Sequence, residues 1–443
     1  MLRSLLSFTV ICLIWLGTAP LAADQWPQWR GPTADGVAAG SPPLEWSDEK
    51  NIVWKVEVPG RGSSTPIIWG DKLFLLTAIA DQSAASDSTD QSSETAQQPP
   101  RRERPEAERP PGARPRGPQG DGAPGGSGRR RGRRGREQAP TVKHQFVVLC
   151  LNRHSGETLW KQVACEAVPH EGGHATNTLA SASPVTDGKR LYVSFGSYGV
   201  YAYSLDGELL WKKDLGQMRT RGAFGEGASP VLADGAVIIN WDHEGESFIT
   251  ALDAADGAEL WKVERDEPTT WNTPLVTELD GRKQVIVNGA NRSRSYDLKT
   301  GELIWQCGGQ ATNPIASPIR HGDLVYCMTG YRGYALYAIP LSARGDITDT
   351  DKIAWSREDV GPYIASPILC DDLLFVTKGR NAILSCYNPA TGEAYFENER
   401  LDGLDTLYAS PVVANGNIYY FARNGAAMVV KCDNKFEIVS ENK

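Results

Sequence analysis

The sequence predicts an all-β fold, a β-propeller of four-stranded antiparallel blades. Three observations carry this expectation. A Ser/Thr-Pro pair recurs at Pro66, Pro184, Pro230, Pro274, Pro318, Pro367 and Pro411, and from Pro184 onward the steps are 46, 44, 44, 49 and 44 residues, the length of one four-stranded blade. A glycine turn followed by a large aromatic recurs in the same phase. Helical periodicity is nearly absent.

Taken in chain order, the first element is an export signal. Arg3 gives the positive start, Leu5 to Leu16 the mostly apolar run, and Ala22 or Ala23 the small residue at the cut. Cys12 lies inside the apolar run, outside the small-residue setting of a lipid-anchored cysteine. A periplasmic or secreted product without a lipid anchor is therefore expected. Export permits disulfides, but without Cys12 the cysteines form an odd set lacking CxxC spacing, which argues against a c-type haem or a cysteine zinc site. Three of them recur in one setting, VVLCLN, ILSCYN and VVKCDN, and read as a small buried residue in a tight strand.

Next comes NIVWKVEV, residues 51–58, which reads as an outer strand with Trp54 in the aromatic slot. It precedes the first Ser/Thr-Pro strand, so it would complete a last blade joining the two ends of the chain. Because the sequence stops after FEIVSENK, the seventh outer strand, either seven blades close with one surplus strand or an eighth blade lacks its inner part. The second arrangement is the expected one.

Residues 81–142 interrupt the first blade. Twelve arginines crowd the segment from Arg101 onward, with hardly an apolar residue to bury, a composition that cannot offset the entropy of ordering. Disorder is expected there. The segment is basic, so the remainder is more acidic than the net charge of −8 of the whole chain. RRRGRRGR, Arg129 to Arg136, suits an anionic surface through counterion release. It lacks interleaved aromatics for stacking on bases, and nucleic acid is not expected.

The blades follow. Turn-then-strand pieces such as DGKRLYVSF and DDLLFVTKG alternate in the manner of half-buried sheet. Then LNRHSGETLW, YSLDGELLW, LDAADGAELW, YDLKTGELIW and YNPATGEAYF place Trp160, Trp211, Trp261, Trp305 and Phe396 in one slot, with Trp355 filling it in the divergent fifth copy. Each ring can bury roughly 150–250 Å², so the slot reads as inter-blade packing. This pairing of Ser/Thr-Pro strand and D-x-x-T-G-E-x-x-W resembles the pyrroloquinoline-quinone (PQQ) type propeller repeat. It is most similar to the PQQ-like propellers related to the outer-membrane-assembly propeller lipoprotein, a group with WPQWRGP-like openings (Trp26 to Pro32) and F-G-x-G-A-S-P-V blade starts (Phe224 to Val231). The resemblance implies eight blades and a binding scaffold, and more distantly a quinoprotein dehydrogenase.

HEGGH, residues 170–174, fits the pattern of a zinc metalloprotease helix. Two central glycines and Pro169 argue against a helix, so a connection between blades is expected and no metal. Connections of this kind share a propeller face with the loops joining second and third strands. That face collects His170, His174 and Asn177, then Asp242, His243 and Glu244, then Trp271 and Asn272, Asn291 and Arg292, Arg332, Arg380 and Asn381, and Arg423 and Asn424. They form a candidate ligand site at the mouth of a central channel, with arginines suited to a carboxylate or phosphate. No catalytic set is expected. The function class is a non-catalytic protein- or ligand-binding scaffold without cofactor. The alternative is a PQQ-dependent dehydrogenase holding PQQ and calcium in the channel, with Asp242 as base and Arg292 or Arg332 near the quinone.

Overall fold

The computed structural model describes residues 25–81 and 139–443. The export signal and Arg129 to Arg136 lie outside the described residues. Nearly all regular structure is strand. Seven antiparallel sheets of four sequential strands succeed one another as blades, from blade 1 (Ile67–Trp69, Lys72–Ala80, His144–Asn152, Thr158–Ala167) to blade 7 (Val412–Ala414, Asn417–Phe421, Ala427–Lys431, Ile438–Asn442). Helical structure among the described residues is two 3₁₀ turns of three residues, Gly196–Tyr198 and Arg221–Ala223.

The apolar cores lie between blades. Six buried clusters are each shared by two consecutive blades, as expected of sheets apolar on both faces. Two smaller clusters lie on blade 1 and blade 7 alone, where blade 7 is joined by Ala38 and Trp46.

The two sequence signatures have separate structural jobs. The Ser/Thr before each proline forms a latch. The backbone N–H of Thr65 donates to Ser183 Oγ at 2.9 Å, Ser183 to Ser229 at 2.9 Å, Ser229 to Thr273 at 3.2 Å, Thr273 to Ser317 at 2.9 Å, Ser317 to Ser366 at 3.0 Å and Ser366 to Ser410 at 2.9 Å. The proline that follows has no N–H to leave unpaired. These six bonds join seven blades, and among the described residues none links Ser410 back to Thr65.

The aromatic signature docks each blade on the next. Indole N–H groups of Trp160, Trp211, Trp261 and Trp355 donate to the carbonyls of Leu205, Ala254, Leu298 and Pro389. Their rings lie over Gly207, Gly257, Gly301 and Gly392, where a Cβ would approach within 2.7–2.9 Å. Positive φ at these glycines, from 72° to 88°, adds a second reason for the residue. On the third strand the partner of each aromatic is small: Cys150, Ala202, Ala251, Ser295, Ala338 and Cys386 face Trp160, Trp211, Trp261, Trp305, Trp355 and Phe396.

Three expectations need correction. Trp305 holds the register but not the docking bond. The excursion after Pro340 lays Gly345–Asp346 parallel against Trp305 and Gln306, so the ring is wholly buried and its Nε1 has no hydrogen-bond partner among the described residues. Cys432 lies beyond its strand, where Val429 holds the corresponding position before the register shift, and it forms a disulfide with Cys370 of blade 6. Residues 51–58 form no strand, because among the described residues no neighbouring strand pairs with them. Trp54 nevertheless docks as expected, its Nε1 donating to the Arg153 carbonyl at 2.9 Å and its ring lying over Gly156.

The N-terminal segment spans the gap between blades 7 and 1. Leu44 accepts from Ser440 Oγ at 2.5 Å and Asn442 Nδ2 at 3.1 Å, and the Trp46 ring stacks on Tyr419. Upstream, residues 25–38 cross one end of the channel. Trp26 bridges Ile68 of blade 1, Pro27 accepts from Thr186 of blade 2, Arg30 reaches Pro367 of blade 6, and Val37–Ala38 pairs parallel with Val413 and Ala414 of blade 7. Blade 1 carries the insertion on a long hairpin whose second and third strands pair from Lys72↔Asn152 up to Ala80↔His144.

Candidate functional site

Two recesses open on the loop-rich face. The larger, about 960 Å³, is the central channel, and its lining comes from all seven blades and from Trp26, Trp29, Arg30 and Gly36 of the N-terminal segment. The smaller, about 320 Å³, lies among the loops of blades 1 to 3.

Of the residues expected at the channel mouth, His174, Asn177, Trp271, Arg380, Asn381 and Arg423 line the channel. Arg423 lies 4.8 Å over the Tyr408 ring. Arg332 is exposed beside the mouth, 5.3 Å over the ring of the lining residue Tyr331, with φ of 55°. The other expected residues hold loops together away from the channel. Asp242 accepts from Arg265 Nε at 2.7 Å and Nη2 at 3.1 Å, and from Thr270 Oγ1 at 2.7 Å. Neither member of that ion pair has an exposed side chain. Burial works against the Arg265 charge, but Asp242 outweighs it and holds the guanidinium above its ordinary value. His243 Nδ1 accepts from the Arg219 N–H at 3.0 Å, and Glu244 accepts from the N–H and Oγ1 of Thr269. Asn291 and Arg292 donate their N–H groups to Glu267, and Arg292 pairs with Asp346 at 2.6 Å.

HEGGH is a loop. His170 Nε2 lies 2.7 Å from the Met218 carbonyl and Nδ1 3.0 Å from Tyr198 Oη, while Glu171 accepts from the N–H and Oγ1 of Thr220. His174 Nδ1 lies 2.8 Å from Thr176 Oγ1. This stretch works as a clasp on the blade 3 start FGEGASPV: Asn177 Nδ2 donates to the carbonyls of Phe224 and Glu226, and Trp271 Nε1 to that of Gly225 at 2.6 Å. Glu226, inside the smaller recess, accepts from Ser197 N–H at 2.8 Å and Oγ at 2.5 Å. Burial raises its carboxyl to about 7 against those bonds.

Sequence reasoning passed over Arg30, Arg61, Glu226 and the ring of channel tyrosines, Tyr331, Tyr363 and Tyr408. Arg30 stood in the WPQWRGP segment and Glu226 in the FGEGASPV segment, so both motifs were visible without the contacts that give them a role.

A calcium-held quinone does not fit this channel. Calcium takes six to eight oxygen ligands with carboxylates prominent among them, and among the described residues no aspartate or glutamate lines the cavity. Asp242, the nearest expectation for a base, is enclosed by Arg265 and Thr270.

A relative from Moranella endobia, named outer membrane protein assembly factor BamB, is 27% identical over 57% of this chain and 66% of its own length. One of the same name from Yersinia pestis is 26% identical over 48% of this chain and 52% of its own. The chain thus spans less than two thirds of the length of these relatives. A tetrathionate hydrolase from Acidithiobacillus ferrooxidans is 22% identical over 61% of this chain and 53% of its own. Among solved structures, BamB from Moraxella catarrhalis aligns with a TM-score of 0.47 and 15% identity, covering 69% of this chain and 86% of that one. Residues 144–398, from the third strand of blade 1 into the last strand of blade 6, match the PQQ_2 family, described as outer membrane protein assembly factor BamB, and the chain belongs to that family.

Proposed function

We propose that this chain is an exported, non-catalytic scaffold that binds protein through its loop-rich face and serves outer-membrane protein assembly. The observation that carries the reading is the family match over residues 144–398. The site geometry supports it. Asp242, Glu244, Glu171, Glu226 and Glu267 are all engaged in holding loops, which rigidifies a surface for contact. The expected export signal, cut near Ala22 or Ala23 without a lipid anchor, agrees with this place of work. The Arg129 to Arg136 stretch offers a second contact, to an anionic surface. No helix among the described residues is long and apolar enough to cross a membrane.

The test is deletion of the gene in its own host, with quantitative measurement of outer-membrane β-barrel proteins. Reduced levels, together with retention of an unfolded β-barrel protein by the purified mature chain, are expected. Unchanged levels with stoichiometric uptake of PQQ and calcium and dye-linked alcohol oxidation would replace the scaffold with a dehydrogenase. Consumption of tetrathionate by the pure chain would replace it with the hydrolase reading that one relative suggests.

A further inference from the structure

Among the described residues, the channel is lined by charge of one sign. In a protein of net charge −8, its lining holds Arg30, Arg61, Arg380 and Arg423 and not one carboxylate among the described residues. Arg30 is the unusual member. It is 4% exposed, and its Nη2 donates to the carbonyls of Asp35 at 2.6 Å and Pro367 at 2.9 Å. Its Nε and Nη1 have no hydrogen-bond partner among the described residues, the guanidinium lying 5.7 Å over the Trp29 ring. A buried charged group with two unmet donors is costly to the fold. Burial pulls this guanidinium down to about 10, with Asp35 acting in the other direction, so it stays charged at neutral pH, and it meets Asp35 through the backbone carbonyl while that residue's carboxylate bonds Thr33 and Val37.

The positive groups stand at two levels. Arg30 belongs to the segment across the channel end and bonds beside Ser366 of the latch ring. Arg380 and Arg423 stand in the loops of blades 6 and 7, where the Arg380 carbonyl accepts from Leu407 and the Arg423 N–H donates to Thr406. Latch hydroxyls and the Tyr331–Tyr363 pair, with ring centroids 4.7 Å apart, lie in the same cavity. About 960 Å³ is near the top of the range for small-molecule sites and far larger than one inorganic anion needs.

We propose that the channel is a metal-independent binding site for a small organic polyanion, one oxyanion group seated on Arg30 at the floor and a second held by Arg380 and Arg423 at the mouth. Guanidinium donors suit carboxylate and phosphate alike, so the class is fixed by charge and size. This goes beyond the scaffold reading and does not depend on it.

Isothermal titration of the mature chain tests the proposal, with citrate and pyrophosphate as probes, EDTA throughout, sodium chloride matched for ionic strength, and spermidine as the cationic control. Saturable one-to-one binding of at least one probe is expected, unaffected by EDTA and absent for spermidine. Arg30→Gln should abolish it. Because Arg30 is buried and its variant could fold poorly, the exposed pair Arg380→Ala/Arg423→Ala provides the independent arm and should weaken binding at least tenfold with an unchanged circular dichroism spectrum. No saturable binding of either probe, binding that requires a divalent ion, or binding unchanged in the double variant would each overturn the proposal.

Discussion

At the scale of single residues, charge burial decides most outcomes. Asp242 and Arg265 have no exposed side-chain surface, and removing one partner of such a pair leaves the other charge without compensation. Asp242→Ala should lower stability by about 3–5 kcal/mol in urea unfolding, whereas replacing both partners by apolar residues of similar volume should cost much less. Glu226 supplies a pH signature. Its folded carboxyl is raised from 4.5 to about 7 by burial, against the Ser197 bonds, so the folded chain binds this proton more tightly than the unfolded chain does. Stability should therefore fall as pH rises from about 4.5 to about 7 and level off above. Melting temperatures of the parent chain and Glu226→Gln across that range check this, the variant losing that part of the slope. Gly196 is the residue that admits Glu226: its φ is 57°, and a Cβ there would lie 1.5 Å from the carboxylate. Gly196→Ala should be destabilising on both counts.

Blades are joined by elements that the sequence displays openly. A Ser/Thr-Pro pair and a Trp-over-Gly dock repeat because each blade must latch to the next, and repetition makes such jobs legible. Trp261→Ala should cost about 3–5 kcal/mol by chemical unfolding, since it deletes a nearly buried ring and the bond to Leu298. What did not repeat was harder to read. Residues 51–58 carry strand-forming residues and a docking Trp54, yet strand formation needs a neighbour, and a single segment cannot show whether one exists. Val53 is 88% exposed there. Trp54→Ala should make this segment susceptible to limited proteolysis while leaving the seven sheets intact. Burial of Trp305 was hidden for a related reason: its cover comes from the non-repeating Gly345–Asp346 excursion. At the site, the clustering of loops on one face was legible from blade phase. The division of His174, Asn177 and Arg380 from Asp242, His243 and Arg292 was not, because it depends on partners such as Arg265 and Asp346 that sit at no repeating position.

On the scale of the whole molecule, seven blades are held by six latch bonds, with the N-terminal segment spanning between the last blade and the first. The Cys370–Cys432 disulfide ties blades 6 and 7 across a separation of 62 residues. By constraint of the unfolded chain a loop of that size contributes about 4 kcal/mol, so Cys432→Ser should lower stability by about 2–4 kcal/mol, read as an earlier unfolding midpoint under non-reducing conditions. The blade 1 hairpin has a practical consequence. Its ladder continues to Ala80↔His144, and Asp81 still donates to the Lys143 carbonyl at 2.8 Å, so the chain leaves and rejoins the sheet at facing positions about 5 Å apart. A fluorescent protein whose termini lie close together, spliced between Asp81 and Lys143, would be tolerated without strain and would turn the rim of this propeller into a reporter platform.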